Sequence, residues 1–211
     1  MNSKQYHHGD LKASLIEAAN TILFRDGADA LSLRAIAAEV GVSHMAPYAH
    51  FKNKKELIKS IAEAGFISMA ETMECVALEM KAKKKVVAGE LVLAYGASYL
   101  RFATTNPQLY RLMLGQVETT GRKNKKEVDR KKIRNSSHID TSKKPFLLLC
   151  EAFALRGDND KRVKAQALGA WSMVHGMAAL IIEGHIQIPE GISFKSFLAS
   201  SIPVSDQFIN D

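Results

Sequence analysis

Residues 35–51 read AIAAEVGVSHMAPYAHF. The pattern fits two short helices packed at a steep angle around a tight corner, the helix-turn-helix. Ile36 and Val40 face inward from the first helix, and Ala37 is small where the two helices approach. Gly41 suits a left-handed turn residue, Val42 plugs the corner, and Ser43 caps the second helix. Phe51 closes the small core from the far side. A short second helix with its polar side exposed can enter a major groove, which admits one α-helix. His44, Met45, Pro47 and Tyr48 are then the groove-facing candidates, on or near its first turn and a half. Pro47, so close to the start, costs at most one hydrogen bond, and the helix is expected to survive it. Tyr48 and His50 carry polar tips for the DNA backbone, and Lys54 adds one phosphate contact. The alternative for the stretch is a three-helix packing unit without a nucleic-acid role, but every position fits the reading element.

Outward from this corner, apolar residues recur mainly at three- and four-residue spacing, and the chain reads as all-α. Leu11, Leu15, Ala18, Ala19, Ile22 and Leu23 form one stripe, capped by Asp10 and closed by Asp26-Gly27. A second helix runs from Leu33 to Val40 with Ser32 as N-cap, and a third begins after Ser43 and ends near His50. A fourth, long helix spans 53–83, with Asn53 and Glu56 in capping-box spacing. Further helices are expected at 86–105, 107–114, 145–155, 160–183 and 193–201. Residues 116–143 are polar and charged, a mobile loop or frayed helix. The expected organisation is a helix-turn-helix DNA-binding domain at 1–53, a connecting helix at 54–85, and a helical effector-binding and dimerisation domain at 86–211.

Composition narrows the function less than the motif does. Lys and Arg outnumber Asp and Glu by 29 to 22, a net charge of +7. Much of that excess sits in 122–134 (RKNKKEVDRKKIR), with eight basic and two acidic residues; over residues 1–60 the count is only 8 to 6. The basic run reads as a solvated loop, as added non-specific DNA attraction, or as a collector of an anionic partner. Cys75 and Cys150 lack metal-ligand or CxxC spacing and read as reduced, packed thiols in a cytoplasmic protein. The N-terminal residues show no signal-peptide pattern. No apolar run approaches the ~18 residues of a membrane span; Met177–Ile182 reads as a short buried segment. The seven histidines show no HExxH spacing, His7-His8 reads as a flexible arm, and GxSxG, P-loop and GxGxxG are absent. These readings argue against an enzyme, a cofactor and a metal site.

The stretches HHGDLKASLIEAA (7–19), LFRDGADALSLRAIAAEVGVSHMAPYAHFKNKKEL (23–57) and WSMVHGMAALIIEG (171–184) resemble TetR-family transcriptional regulators. The spacing of Trp171, His175 and Gly176 is similar to a C-terminal domain type found in a subset of that family. The resemblance implies a homodimer with two N-terminal DNA-reading heads, an all-helical C-terminal body, and repression released by a small molecule. It implies DNA contacts from Ser32, Arg34, Ser43, His44, Met45, Pro47, Tyr48, His50 and Lys54. Two positions depart from the family pattern: His44 stands where Lys is frequent, and Pro47 where Thr or a longer aliphatic is common. Both bear on which operator is read.

A regulator needs a second site whose occupancy shifts the heads. Tyr95, Tyr99, Phe102, Tyr110, Met113, Phe153, Trp171 and His175 are the effector-lining candidates, with Phe146, Met173 and Met177 as further apolar material and His175 as the polar handle. Ordinary core packing is the alternative for each. Dimerisation is expected through about 160–201, where Gly169, Ala170, Gly176, Ala178, Ala179 and Gly184 permit close approach and Met173, Leu180 and Ile181 supply apolar area. The partners expected are thus double-stranded operator DNA, a small-molecule effector and a second copy, without a membrane. The rival reading is a helical ligand-binding or adaptor protein without operator binding, against which the complete 32–51 pattern stands.

Overall fold

The computed structural model describes residues 10–83, 86–121 and 140–201, with backbone alone at 116–121. The basic segment 122–134 and the His7-His8 arm lie outside them. Among the described residues there are eight α-helices and no strand: α1 Leu11–Asp26, α2 Leu33–Val40, α3 Lys54–Ala82, α4 Ala88–Thr105, α5 Pro107–Gly121, α6 Lys144–Ala154, α7 Asp160–Ile182 and α8 Phe194–Ser201. The expected 107–114 helix continues to Gly121, into the stretch read as loop or frayed helix. The helices fall into two compact units: residues 1–66 with 106–137, and 67–105 with 138–211.

In the first unit, α1, α2, the corner and the start of α3 share one core. Leu15, Leu31, Ile36, Phe51, Leu57 and Ile61 are all completely buried in it. Helices α1, α2 and α3 each start on a side-chain cap that satisfies an otherwise orphaned N–H. Asp10 Oδ1 accepts from Ala13 N–H at 3.0 Å, Ser32 Oγ from Ala35 N–H at 3.0 Å, and Asn53 Oδ1 from Glu56 N–H at 3.0 Å. Glu56 reaches back one residue further than a standard capping box, accepting from Lys52 N–H at 2.8 Å. Helix α5 belongs to this unit, with Leu109 and Leu112 packed on the same core. A Cβ at Gly65 would stand 2.6 Å from Met113 Sδ, so the absence of a side chain there lets α3 and α5 meet closely.

In the second unit, α4 packs against α6, α7 and α8. Leu91, Tyr95, Tyr99, Leu149, Val163, Ala167, Val174, Ala178 and Leu198 are buried there. Gly96 admits Leu198 of α8, whose Cδ1 would lie 2.9 Å from a Cβ on Gly96. Lys195 of α8 pairs with Glu90 of α4, and Lys144 Nζ of α6 with Glu74 of α3 at 3.0 Å.

Three readings need correction. Among the described residues one helix, α7, is long and apolar enough to cross a membrane; counting unbroken apolar runs missed it because Gln166, Ser172 and His175 interrupt the run without adding charge. Met177–Ile182 is not a buried segment: Ala178 alone is buried, in the core of the second unit, and Ala179 and Leu180 are exposed. Cys75 is exposed on α3, and only Cys150 is partly packed; both thiols are free.

Candidate nucleic-acid interface and ligand cavity

The corner after α2 is built from hydrogen bonds between near neighbours. Gly41 is left-handed, with φ +79° and ψ +30°. Its N–H donates to Ala38 O at 3.2 Å and Ala37 O at 3.0 Å, and Val42 N–H donates to Ala37 O at 2.9 Å. This is the Schellman arrangement, which closes the carbonyl end of a helix and needs a residue without the Cβ penalty at positive φ. Val42 and Val40 pack against the head core, Ala37 is buried, and Phe51 is completely buried at the far side.

The second helix of the motif differs from the reading. Residues Ala46–Ala49 form a four-residue 3₁₀ turn rather than an α-helix beginning at Ser43. Ala46 N–H donates to Ser43 O, Tyr48 N–H to Met45 O and His50 N–H to Pro47 O, all three residues back; only Phe51 N–H reaches four back, to Pro47 O. Pro47 accounts for the change. It has no N–H to give Ser43 O, and its ring disfavours α geometry at Ala46. The helix thus tightens where it was expected to survive unchanged. Ser43 Oγ accepts from Met45 N–H at 3.3 Å, a local turn bond in place of a full N-cap.

This tightening sorts the expected DNA contacts. Ser43, His44, Met45 and Tyr48 are exposed, as are Arg34 on α2 and Lys54 at the start of α3. Met45 and Tyr48 are 60% and 51% exposed, unusual for large side chains beside a complete core. Ser32 and His50 are half-buried; Ser32 spends its oxygen on the α2 cap, leaving its O–H to donate. Pro47 is the correction: it is buried, turned into the head as the hinge of the 3₁₀ turn, and offers no surface to a groove. Arg25 of α1 pairs with its neighbour Asp26 at 2.9 Å and, across to α2, with Glu39 at 3.2 Å. They raise the Arg25 pKa, but at full exposure such pairs add little stability.

The second unit encloses a cavity of about 760 Å³. Its walls come from Met73 of α3, Val87 and the α4 face from Gly89 to Tyr99, Leu149 and Phe153 of α6 with Arg156 just beyond it, α7 from Ala165 to Val174, and Leu198 of α8. Of the eight expected lining residues, Tyr95, Tyr99, Phe153 and Trp171 are in the wall. His175 and Phe102 are not. His175 stacks behind the wall, its ring 4.4 Å from Trp171 and 4.9 Å from Tyr99, with Phe146 5.8 Å from Trp171. Its Nδ1–H donates to Trp171 O at 2.8 Å; burial holds its pKa below the ordinary histidine value, against the smaller opposing effect of that hydrogen bond. Tyr110 and Met113 are corrections: they lie on α5, buried in the first unit, and do not line the cavity.

Sequence reasoning missed Gln166, Arg156 and the small residues Gly89, Gly96, Ala165 and Gly169 in the wall. The available signal was Gln166, a polar residue on the otherwise apolar side of α7. Burial, then the negative charges of Glu151 and Glu74, pushes the Tyr95 phenol above its usual pKa, so it remains a neutral O–H. Glu90 is occupied by Lys195, and Arg156 lies 6.0 Å from the Phe153 ring centre.

A capped helix-turn-helix with exposed side chains at its corner, carried on an all-helical chain, defines a DNA-binding transcriptional regulator. Residues 15–61 match the family model for bacterial regulatory proteins of the tetR family, and residues 92–199 match that for the tetracyclin repressor-like C-terminal domain. The chain belongs to the TetR family. Among solved structures it is similar to a protein of unknown function from Rhodococcus sp. RHA1, at 27% identity and a TM-score of 0.69 over 98% of this chain and 97% of that one. A possible TetR family transcriptional regulator from Streptomyces coelicolor A3(2) is 14% identical, with a TM-score of 0.57 over 90% and 80% of the two chains. The multidrug binding protein EbrR, solved with imidazole, is 17% identical, with a TM-score of 0.57 over 94% and 93%. The last two likenesses bear on the fold. No curated protein matches the chain.

Proposed function

We propose that this chain is a cytoplasmic, homodimeric repressor that leaves a palindromic operator when a small molecule fills the cavity of its second unit. The observation that carries the proposal is the exposure of His44, Met45 and Tyr48 on a turn anchored by the buried Ile36, Ala37, Pro47 and Phe51. A dimer would present two such turns to half-sites about one helical turn apart, or a multiple of that. Arg34, Ser43 and Lys54, with Ser32 and His50 at the edges, would hold the phosphates, while His44 and Met45 would meet base edges.

The dimer surface we assign to α7 and α8. Leu168 and Leu180 are 58% and 42% exposed on α7, with Gly169, Gly176 and Ala179 exposed beside them. An apolar helix face of this kind is stable in water when a second copy covers it. The cavity size falls within the range of about 300–1,000 Å³ typical of small-molecule sites. Release requires the effector to bind the two states of the dimer with different affinities.

Binding of DNA by two variants tests the head assignment. His44→Ala should change base preference, by about 1–3 kcal/mol at the affected position. Tyr48→Phe should weaken all sequences alike, by about 0.5–1.5 kcal/mol. If affinity and preference survive both, the assigned surface is wrong. Light scattering that finds a monomer at micromolar concentration removes the dimer.

A further inference from the structure

The cavity wall distinguishes the kind of molecule that fills it. Of its charged residues, Glu90 is paired with Lys195, and Arg156 is exposed, 6.0 Å from the Phe153 ring centre. Two uncharged polar side chains are not. Tyr95 is only 4% exposed and lines the cavity, and among the described residues its hydroxyl has no hydrogen-bond partner. Gln166 lines the cavity from α7, and its Oε1 is buried without a partner among the described residues. The buried, unpaired Gln166 oxygen is costly, so a molecule that pairs it gains by what the empty protein lacks.

We propose that the cavity selects an uncharged, mainly apolar molecule carrying a hydroxyl or N–H group, which donates to Gln166 Oε1 and accepts from the Tyr95 hydroxyl. The inference rests on the cavity being the effector site. The last torsion of a glutamine side chain is soft, so the amide can turn its oxygen toward a ligand at little cost. Tyr95 stays protonated in its buried setting beside Glu74 and Glu151, which keeps it a donor. An ammonium group would find Glu90 already paired with Lys195, and a carboxylate would find only the exposed Arg156, so either ion would lose its hydration for little return.

Trp171 is the sole tryptophan and lies in the wall, so its emission reports occupancy. The full-length protein is titrated with para-butylphenol, with its methyl ether para-butylanisole, and with para-butylbenzoate and para-butylbenzylammonium as charged counterparts. The phenol should bind about tenfold more tightly than the ether, which has no donor, and more tightly than both ions. Gln166→Leu should abolish the preference for phenol over ether while raising the melting temperature of the empty protein, because an unpaired buried acceptor is gone. Tyr95→Phe should weaken the phenol several-fold.

Equal binding of phenol and ether to the natural chain overturns the proposal while leaving the cavity as a ligand site. So does tighter binding of either ion, or a phenol preference that survives Gln166→Leu. If no probe changes Trp171 emission up to millimolar concentration while the protein still shifts DNA, the cavity reading falls and the proposal with it. If the phenol preference appears but no probe moves DNA affinity, the ligand rule stands and release by this cavity is refuted.

Discussion

The corner of the head and the cavity of the second unit are built in opposite ways. At the corner, every bond that sets the geometry joins residues a few positions apart: Ser32 with Ala35, Gly41 and Val42 with Ala37 and Ala38, Ser43 with Met45, Asn53 with Glu56. The cavity has no such local grammar. Met73, Tyr95, Phe153, Gln166 and Leu198 come from five helices and meet only because the helices pack. A site made of short-range bonds announces itself in a sequence; a site made by long-range packing does not.

Variants that damage one region and spare the other test this contrast. The largest effect is expected from Phe51→Ala. Emptying a completely buried aromatic position costs about 3–5 kcal/mol. DNA binding should be lost, while Trp171 emission should still respond to a cavity ligand. Loss of both would mean that the two units do not fold as separately as the contrast requires. Next comes Gly41→Val, which forces a branched side chain into φ +79° at about 1–2 kcal/mol. DNA affinity should fall and chemical denaturation should shift, with cavity binding unchanged. Ser32→Ala should be smaller, at about 1 kcal/mol for a lost N-cap.

The smallest effect lies in the second unit and depends on pH. Burial lowers the His175 pKa from its ordinary 6.5. Above 6.5 the ring is neutral both folded and unfolded. As pH falls below 6.5 the unfolded chain takes up a proton that the folded one still refuses, so stability declines until the lowered folded pKa is passed. His175→Gln should flatten that part of the thermal-stability profile. A slope identical to that of the natural chain would mean that His175 is not held neutral behind Trp171.

The same contrast explains what the sequence allowed to be read. The all-α class, the caps at Asp10, Ser32 and Asn53, and the left-handed Gly41 follow from periodicity and neighbour chemistry. By sequence alone Pro47 is a tolerable interruption near a helix start; its missing N–H and its restriction of Ala46 together convert the turn to 3₁₀, with the ring buried. In the body, aromatic and Met residues were collected by type, and type does not say which way a side chain faces. Tyr95, Tyr99, Phe153 and Trp171 reach the cavity, His175 stacks one layer behind, and Tyr110 and Met113 are used by α5 in the other unit. Gln166 was overlooked because a lone glutamine on a helix is ordinary until its oxygen proves to be buried without a partner.

The central claim is that the exposed turn at 43–48 reads operator DNA. Selection from random double-stranded DNA by the full-length protein, repeated with a His44→Ala, Tyr48→Ala double variant, tests it most directly. The account predicts that the natural chain enriches a two-fold symmetric sequence and that the double variant, folded by circular dichroism, does not. Enrichment of the same sequence by both proteins, or of none by the natural chain at any salt between about 50 and 200 mM, would contradict it.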